Sequence, residues 1–207
     1  MNTALLIFAK AAEPGFSKTR LIPALGAVQA AAANEILSRR VFHAVAASQL
    51  NIVLWGASGH PALALWAEEY GWRLRQQRGD DLGQCMSHAL TSALADGANQ
   101  AIIIGTDCPL MSPAYIAQAE SALETADVVL GPAEDGGYVL IGCKRAEPAL
   151  FRDIDWGTDQ VLEQTLRAAS QAQCSIAMLA TLWDVDRPED WQRFLSLDPR
   201  KQEVNER

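Results

Sequence analysis

The stretch DVVLGPAEDGGYVLIG, residues 127–142, holds two apolar runs with only PAEDGG between them. Each run, 127–131 and 138–142, has the length and the Val, Leu and Ile content of a buried strand. Gly136 and Gly137 supply the positive φ that a tight reversal needs, which leaves Glu134 and Asp135 at the exposed tip of a hairpin-like pair. Two adjacent strands joined this tightly run in opposite directions, so a sheet containing them is mixed unless every neighbour also turns back.

The neighbours do not turn back. Upstream, strands at 4–9, 52–55, 72–76 and 101–105 alternate with helical patterns at 29–48, 61–69 and 84–94, and a helix at 113–124 follows the last of these strands. Proline in the first turn opens the helices at 61 and 113, and Ser112 stands where an N-cap belongs. Downstream, a helix is predicted near 158–170, a strand near 175–185, and a final helix opened by Pro188-Glu189-Asp190. The βαβ rhythm with one hairpin predicts a three-layer α/β/α sandwich around a mixed, mostly parallel sheet. One domain is expected over 1–197, with a polar tail at 198–207. In such open sheets ligands bind beyond the carboxyl ends of the strands, so the loops there carry the chemistry.

With 207 residues the chain can bury one substantial core. Its net charge of −8 argues against a nucleic-acid backbone as partner, because that affinity comes from Lys and Arg displacing counterions. A small polyanion would need local cations or a metal to offset the acidic background. The cysteines at 85, 108, 143 and 174 are too scattered for a zinc knuckle or a redox dithiol and are expected to be reduced. The initial run ALLIFAK is too short for a membrane span and lacks the cationic flank of a signal peptide, so a cytoplasmic enzyme acting on small molecules, without membrane insertion, is expected.

Four strand ends supply candidates. The first loop, AKAAEPGFSKTRL at 9–21, offers Gly15, Ser17, Lys18, Thr19 and Arg20, a set able to cradle phosphate through backbone N–H groups, a point charge and a bidentate fork, although a solvated turn explains the same residues. In IIIGTDCPL at 102–110, Asp107 is delivered to a strand end, where a carboxylate can anchor Mg²⁺ together with substrate phosphates or simply form a turn. In LWDVDRPEDW at 182–191, Asp184 and Asp186 share one face by period-2 spacing and can join the same metal site, while Asp190 supports the first turn of the last helix. At the hairpin tip, Glu134 and Asp135 can grip acceptor hydroxyls or act as a general base, though a plain hairpin accounts for Gly136 and Gly137 unaided. Trp156-Gly157-Thr158-Asp159 suits an acceptor wall or a helix start, and RGDDLGQ at 78–84 an approach to a base. No Ser-His-Asp or Cys-His constellation is present.

Taken in order, FAKAAEPGFSKTRL, GTDCPL, GPAEDGGYVLIG, WGTDQVL and DVDRPEDW resemble the nucleotide-diphospho-sugar transferase (GT-A-like) superfamily over almost the whole chain, and more narrowly the bacterial glycosyltransferase-like family DUF2064. That superfamily includes molybdenum-cofactor and phospholactate guanylyltransferases. The resemblance implies a nucleotide held by Gly15, Lys18, Thr19, Arg20 and Thr106. It also implies Mg²⁺ or Mn²⁺ on Asp107 with Asp184 or Asp186, and an acceptor facing Glu134, Gly136, Gly137, Trp156 and Thr158. Asp135 and Lys18 are the catalytic candidates. Three departures stand out: Pro14-Gly15 replaces the richer glycine loop of the nucleotidyltransferases, Thr106-Asp107 replaces the D-x-D of many sugar transferases, and Gln84-Cys85-Met86 stands where an arginine is expected. The expectation is therefore a metal-dependent glycosyltransferase using a nucleotide-sugar, followed by nucleotidyl transfer from an NTP to a phosphorylated acceptor, and then by a non-catalytic nucleotide-binding domain.

Overall fold

In the computed structural model, which describes residues 2–197, the strands are β1 (Thr3–Ala9), β2 (Asn51–Gly56), β3 (Arg73–Gln76), β4 (Gln100–Ile104), β5 (Val128–Pro132), β6 (Tyr138–Cys143) and β7 (Ile176–Met178). They form one sheet in the order β3-β2-β1-β4-β6-β5-β7. β6 alone runs antiparallel, to β4 on one side and β5 on the other, while the remaining pairs are parallel. The hairpin at 127–142 is thus the single reversal in the sheet, and the expected mixed α/β sandwich is what forms. The tail expected at 198–207 lies outside the described residues.

The helices are α1 (Ile22–Leu25), α2 (Ala27–Ala46), α3 (Pro61–Tyr70), α4 (Leu82–Ala95), α5 (Pro113–Thr125), α6 (Val161–Gln171) and α7 (Pro188–Leu197). Strand alternation sorts the core into two layers. Leu5, Ile7, Leu54, Ile102 and Ile104 pack against Phe42, Trp66 and Ile116 of α2, α3 and α5. Leu6, Val53, Trp55 and Ile103 face Met86 and Leu90 of α4 and Ala169 of α6 on the opposite side. None of the described helices is long and apolar enough to cross a membrane.

A third, smaller core decides where the site loops sit. Leu21, which follows the first loop, packs with Leu37 of α2, with Trp183 and Val185, and with Trp191 and Phe194 of α7. The first loop and the segment leading into α7 are thereby pinned together against α2.

Three boundaries differ from the sequence reading. The strand expected at 175–185 is only three residues long; beyond Met178 the chain is irregular and touches β5 again through an isolated bridge between Ala133 and Leu182. Alternation nevertheless persists, with Trp183 and Val185 buried and Asp184 and Asp186 turned the other way. The first loop winds into a 3-10 turn at Thr19–Leu21 and the short α1, both unmarked by periodicity because each is a single turn. α6 begins at Val161 rather than 158, since Thr158 Oγ1 donates to the Asp155 carbonyl at 2.8 Å and holds a turn ahead of the helix.

Candidate functional site

The carboxyl ends of β1, β2, β4 and β5, with the start of the antiparallel β6, open onto a single crevice. Two clefts of about 620 and 240 Å³ make it up, and both are bordered by Phe8, Leu82, Gly105, Tyr138, Val139 and Asp184. The larger holds the basic groups, Lys10, Lys18 and Arg20, beside Thr19, Thr106, Asp107 and Asp186. The smaller holds Asp135, Gly137, Trp156, Gly157 and Thr158 among apolar side chains.

Lys18 is the hub of the larger cleft. The loop before it is tightened by Ser17, whose Oγ donates to the Glu13 carbonyl at 3.0 Å and accepts the Glu13 N–H at 3.1 Å. Asn34 of α2 anchors the loop's start by donating to the Lys10 carbonyl at 2.9 Å. Lys18 itself adopts left-handed backbone angles, φ 48° and ψ 45°, an uncommon choice for a residue with a Cβ and one that turns its side chain inward. Only 5 % of that side chain is exposed; its ammonium lies 2.9 Å from Asp107 Oδ1 and donates to the Val185 carbonyl. The Val185 N–H in turn donates to the Asp107 carbonyl at 3.0 Å. Three sequence-distant loops are joined at this one ammonium group.

Asp184 sits half-buried between the two clefts. Burial, together with the charges of Asp135 and Asp107, pushes its carboxyl up to about 7, with Lys18 pulling in the other direction. Its neighbour two residues on behaves differently: Asp186 is engaged by the Arg20 guanidinium in an ion pair. Asp190 accepts from the Asp186 and Arg187 N–H groups at 3.1 and 2.8 Å, the supporting role expected of it at the start of α7.

The other expected residues divide. Asp135 stands exposed at the hairpin tip, one oxygen accepting the Gly137 N–H at 2.9 Å, and lines the smaller cleft with Gly137, Trp156 and Thr158. Glu134 points away, forming a two-pronged pair with Arg193 of α7 at 2.7 and 3.1 Å, and does not line either cleft. Gly136 is a packing glycine: a Cβ there would meet the Asp159 carbonyl oxygen at 2.3 Å, because the 155–160 turn lies directly on it. Gly15 stands in the open at φ +87°, outside the cleft walls, so its contribution is to the shape of the turn. Leu82 comes from the 78–84 segment offered above for a base, whereas sequence reading did not single out Phe8, Gln77 and Tyr138 as walls; the strand-terminal positions of Phe8 and Tyr138 are the available signal.

The smaller cleft depends on a close contact beneath it. Trp156 lies on Gly83 of α4, where an added Cβ would come within 2.6 Å of the indole and 2.9 Å of the Phe151 carbonyl oxygen. Backbone cannot yield as a flexible side chain does, so Gly83→Ala is expected to lower stability by about 1–3 kcal/mol and displace Trp156. Urea denaturation followed by tryptophan fluorescence measures both; unchanged midpoint and spectrum would refute the packing role. Cysteine chemistry is unpromising here, since burial pushes the Cys108 thiol up to about 11.

Hard oxygen donors suited to a divalent cation are present. Asp107, 45 % exposed at its side chain and paired with Lys18 through Oδ1, and Asp184 carry carboxylates on the same cleft, which Asp186, paired with Arg20 through Oδ2, also borders. The described residues contain no cluster of three or more potential ligands already arranged around one point. Mg²⁺ commonly takes one or two carboxylates and draws its remaining ligands from water and substrate phosphates, so this donor set fits such an ion.

Comparison with known proteins agrees with this fold. Residues 40–158 match the model of the family described as uncharacterised protein conserved in bacteria (DUF2064), a span that includes Asp107 and the hairpin but stops short of the first and last site loops. Over 194 residues, 88 % of this chain and 93 % of the relative, the sequence is 27 % identical to the phosphoenolpyruvate guanylyltransferase of Chloroflexus aggregans. Among solved structures, a proposed nucleotide-diphospho-sugar transferase from Desulfovibrio desulfuricans superposes with a TM-score of 0.83 at 29 % identity, covering 90 % of this chain and 83 % of the other. The inositol-1-phosphate CTP transferase of T. maritima shares the fold at a TM-score of 0.60 and 13 % identity, over 92 % and 91 % of the two chains.

Proposed function

The chain belongs to the DUF2064 family, and from that premise we propose that it is a nucleotidyltransferase, moving a nucleoside monophosphate from an NTP to a phosphorylated acceptor. The carrying observation is the charge-sorted crevice, with Lys18 held between Asp107 and the Val185 carbonyl in one cleft and a cation-free, partly aromatic cleft next to it. The guanylyltransferase relative, alignable over most of both chains, supports this reading over glycosyl transfer, which the sequence alone ranks first.

In the proposed reaction an oxygen of the acceptor phosphate attacks the α-phosphorus of the NTP. The new P–O bond to the acceptor forms as the α–β bridging P–O bond breaks, and the electron pair leaves with pyrophosphate. Catalysis of this kind rests on positioning and charge. Lys18 and Arg20 offset the phosphate charges, and Thr19 and Thr106 border the same cleft. Asp107 and Asp184 would hold Mg²⁺ or Mn²⁺, which when bound would offset further charge on the phosphates. An acceptor phosphate is already anionic at neutral pH and needs no base, so Asp135 serves to hold the body of the acceptor beside Trp156 and Thr158 instead of removing a proton.

Glycosyl transfer from a nucleotide-sugar remains the second reading, favoured by the lone Gly15 in the first loop and by the likeness to the proposed nucleotide-diphospho-sugar transferase. In that reaction Asp135 would take the proton of an acceptor hydroxyl. Pyrophosphate release separates the two. Incubated with each of the four common NTPs, Mg²⁺ and a panel of phosphate monoesters, the protein is expected to release pyrophosphate only when both substrates are present. Release of a nucleoside diphosphate from a nucleotide-sugar, with no pyrophosphate from any NTP, would reverse the order of the two readings.

A further inference from the structure

The two halves of the crevice differ in sign. Beside Lys18 and Arg20 the larger cleft offers positive charge to phosphates. In the smaller cleft the charged side chains among the described residues are the carboxylates of Asp135 and Asp184, with no Lys, Arg or His in its walls. Among the described residues Asp135 has no ion-pair partner in direct contact, and Arg20 of the larger cleft feels its charge only at a distance; one of its oxygens accepts the Gly137 N–H and the carboxylate stands exposed at the rim. The remaining wall is apolar, with Phe8, Tyr138 and Trp156, the last two meeting edge to face with ring centroids 6.5 Å apart.

A carboxylate on the acceptor would enter this cleft without a cation in its walls to meet it and against the like charge of Asp135, the carboxylate that the metal leaves free. An ammonium group meets the reverse situation, in which a carboxylate and the negative faces of aromatic rings attract it, most strongly where water is displaced. We propose that the smaller cleft selects an acceptor whose body carries an amine or quaternary ammonium, a phosphate monoester of an amino alcohol in chemical class, and discriminates against a carboxylated phosphate ester. This rests on the nucleotidyltransferase reading for the acceptor's phosphate, but the selectivity for the body stands on the cleft itself. It also separates this chain from the Chloroflexus relative, whose named substrate, phosphoenolpyruvate, bears a carboxylate.

The test is isothermal titration of the full-length protein with phosphocholine and with phosphoenolpyruvate, each with Mg²⁺ and a non-hydrolysable NTP analogue present. Phosphocholine is expected to bind at least about tenfold more tightly. In Asp135→Asn, which keeps an oxygen for the Gly137 N–H but removes the charge, that preference should fall to about threefold or less with NTP-analogue affinity unchanged. In Trp156→Ala, phosphocholine affinity should fall while the analogue still binds. Equal or tighter binding of phosphoenolpyruvate by the wild type, or binding of neither ester, overturns the proposal. Failure of the analogue to bind while phosphocholine is still preferred overturns the nucleotidyl reading and leaves the cleft's selectivity intact.

Discussion

Asp184→Asn is expected to raise the melting temperature of the ligand-free protein at pH 8 by roughly 2–8 °C while lowering nucleotidyl transfer by about 10²–10³-fold. The two effects have one cause. Asp184 is held half-buried facing the charges of Asp107 and Asp135, and its carboxyl is pushed up to about 7. At pH below about 4 the group is protonated in folded and unfolded chains alike and carries no penalty. As pH rises from there through about 7, the unfolded chain releases the proton first, and the folded state loses stability. Allowing for water at this partly exposed position, removing the charge recovers roughly 1–2 kcal/mol at pH 8. The gain in the variant should therefore shrink towards pH 4, and thermal melts across pH 4–8 measure it. Identical pH profiles for variant and wild type would show that the site stores no such repulsion. Retained transfer would remove Asp184 from the chemistry.

Lys18→Met should act in the opposite sense on stability. The thioether keeps most of the buried volume but leaves the Asp107 carboxylate without its cation and the Val185 carbonyl without that donor. Because Asp107 is 45 % exposed at its side chain, water makes good part of the loss, and a destabilisation of about 1–3 kcal/mol is expected. Affinity for the NTP analogue should fall by about tenfold or more and transfer by about 10³-fold, since the proposed reaction uses Lys18 to offset phosphate charge where little water screens it. Denaturation midpoints and single-turnover rates read the two effects separately. Stability lost without any change in nucleotide affinity would make Lys18 a strut for the loop and nothing more.

What could be read from the sequence follows from how local each signal is. The hairpin at 127–142, the helices opened by proline and the buried run before Asp107 are written in consecutive residues, and each appears where expected. The site loops were legible for the same reason, because strand ends announce themselves through Gly, Pro and charge. Which members of a loop face the crevice was not legible. Asp184 and Asp186 are equivalent as text, yet one is buried towards Asp107 while the other is taken by Arg20, 166 positions away. Glu134 and Asp135 are adjacent, but Arg193 on α7 claims the first and leaves the second at the cleft. The resemblance puts Gly136 at the acceptor, and the structure adds that the 155–160 turn lies directly on it. In each case the deciding partner comes from a distant element, and periodicity carries no trace of it.

The contact between Lys18 and Val185 spans 167 positions and crosses almost the entire described chain. During synthesis, β1, β2 and β4 can pair before the segment around residue 185 has been made. Until residue 185 has been made, Lys18 lacks the carbonyl to which it donates, and the larger cleft lacks the wall that Asp184 and Asp186 give it.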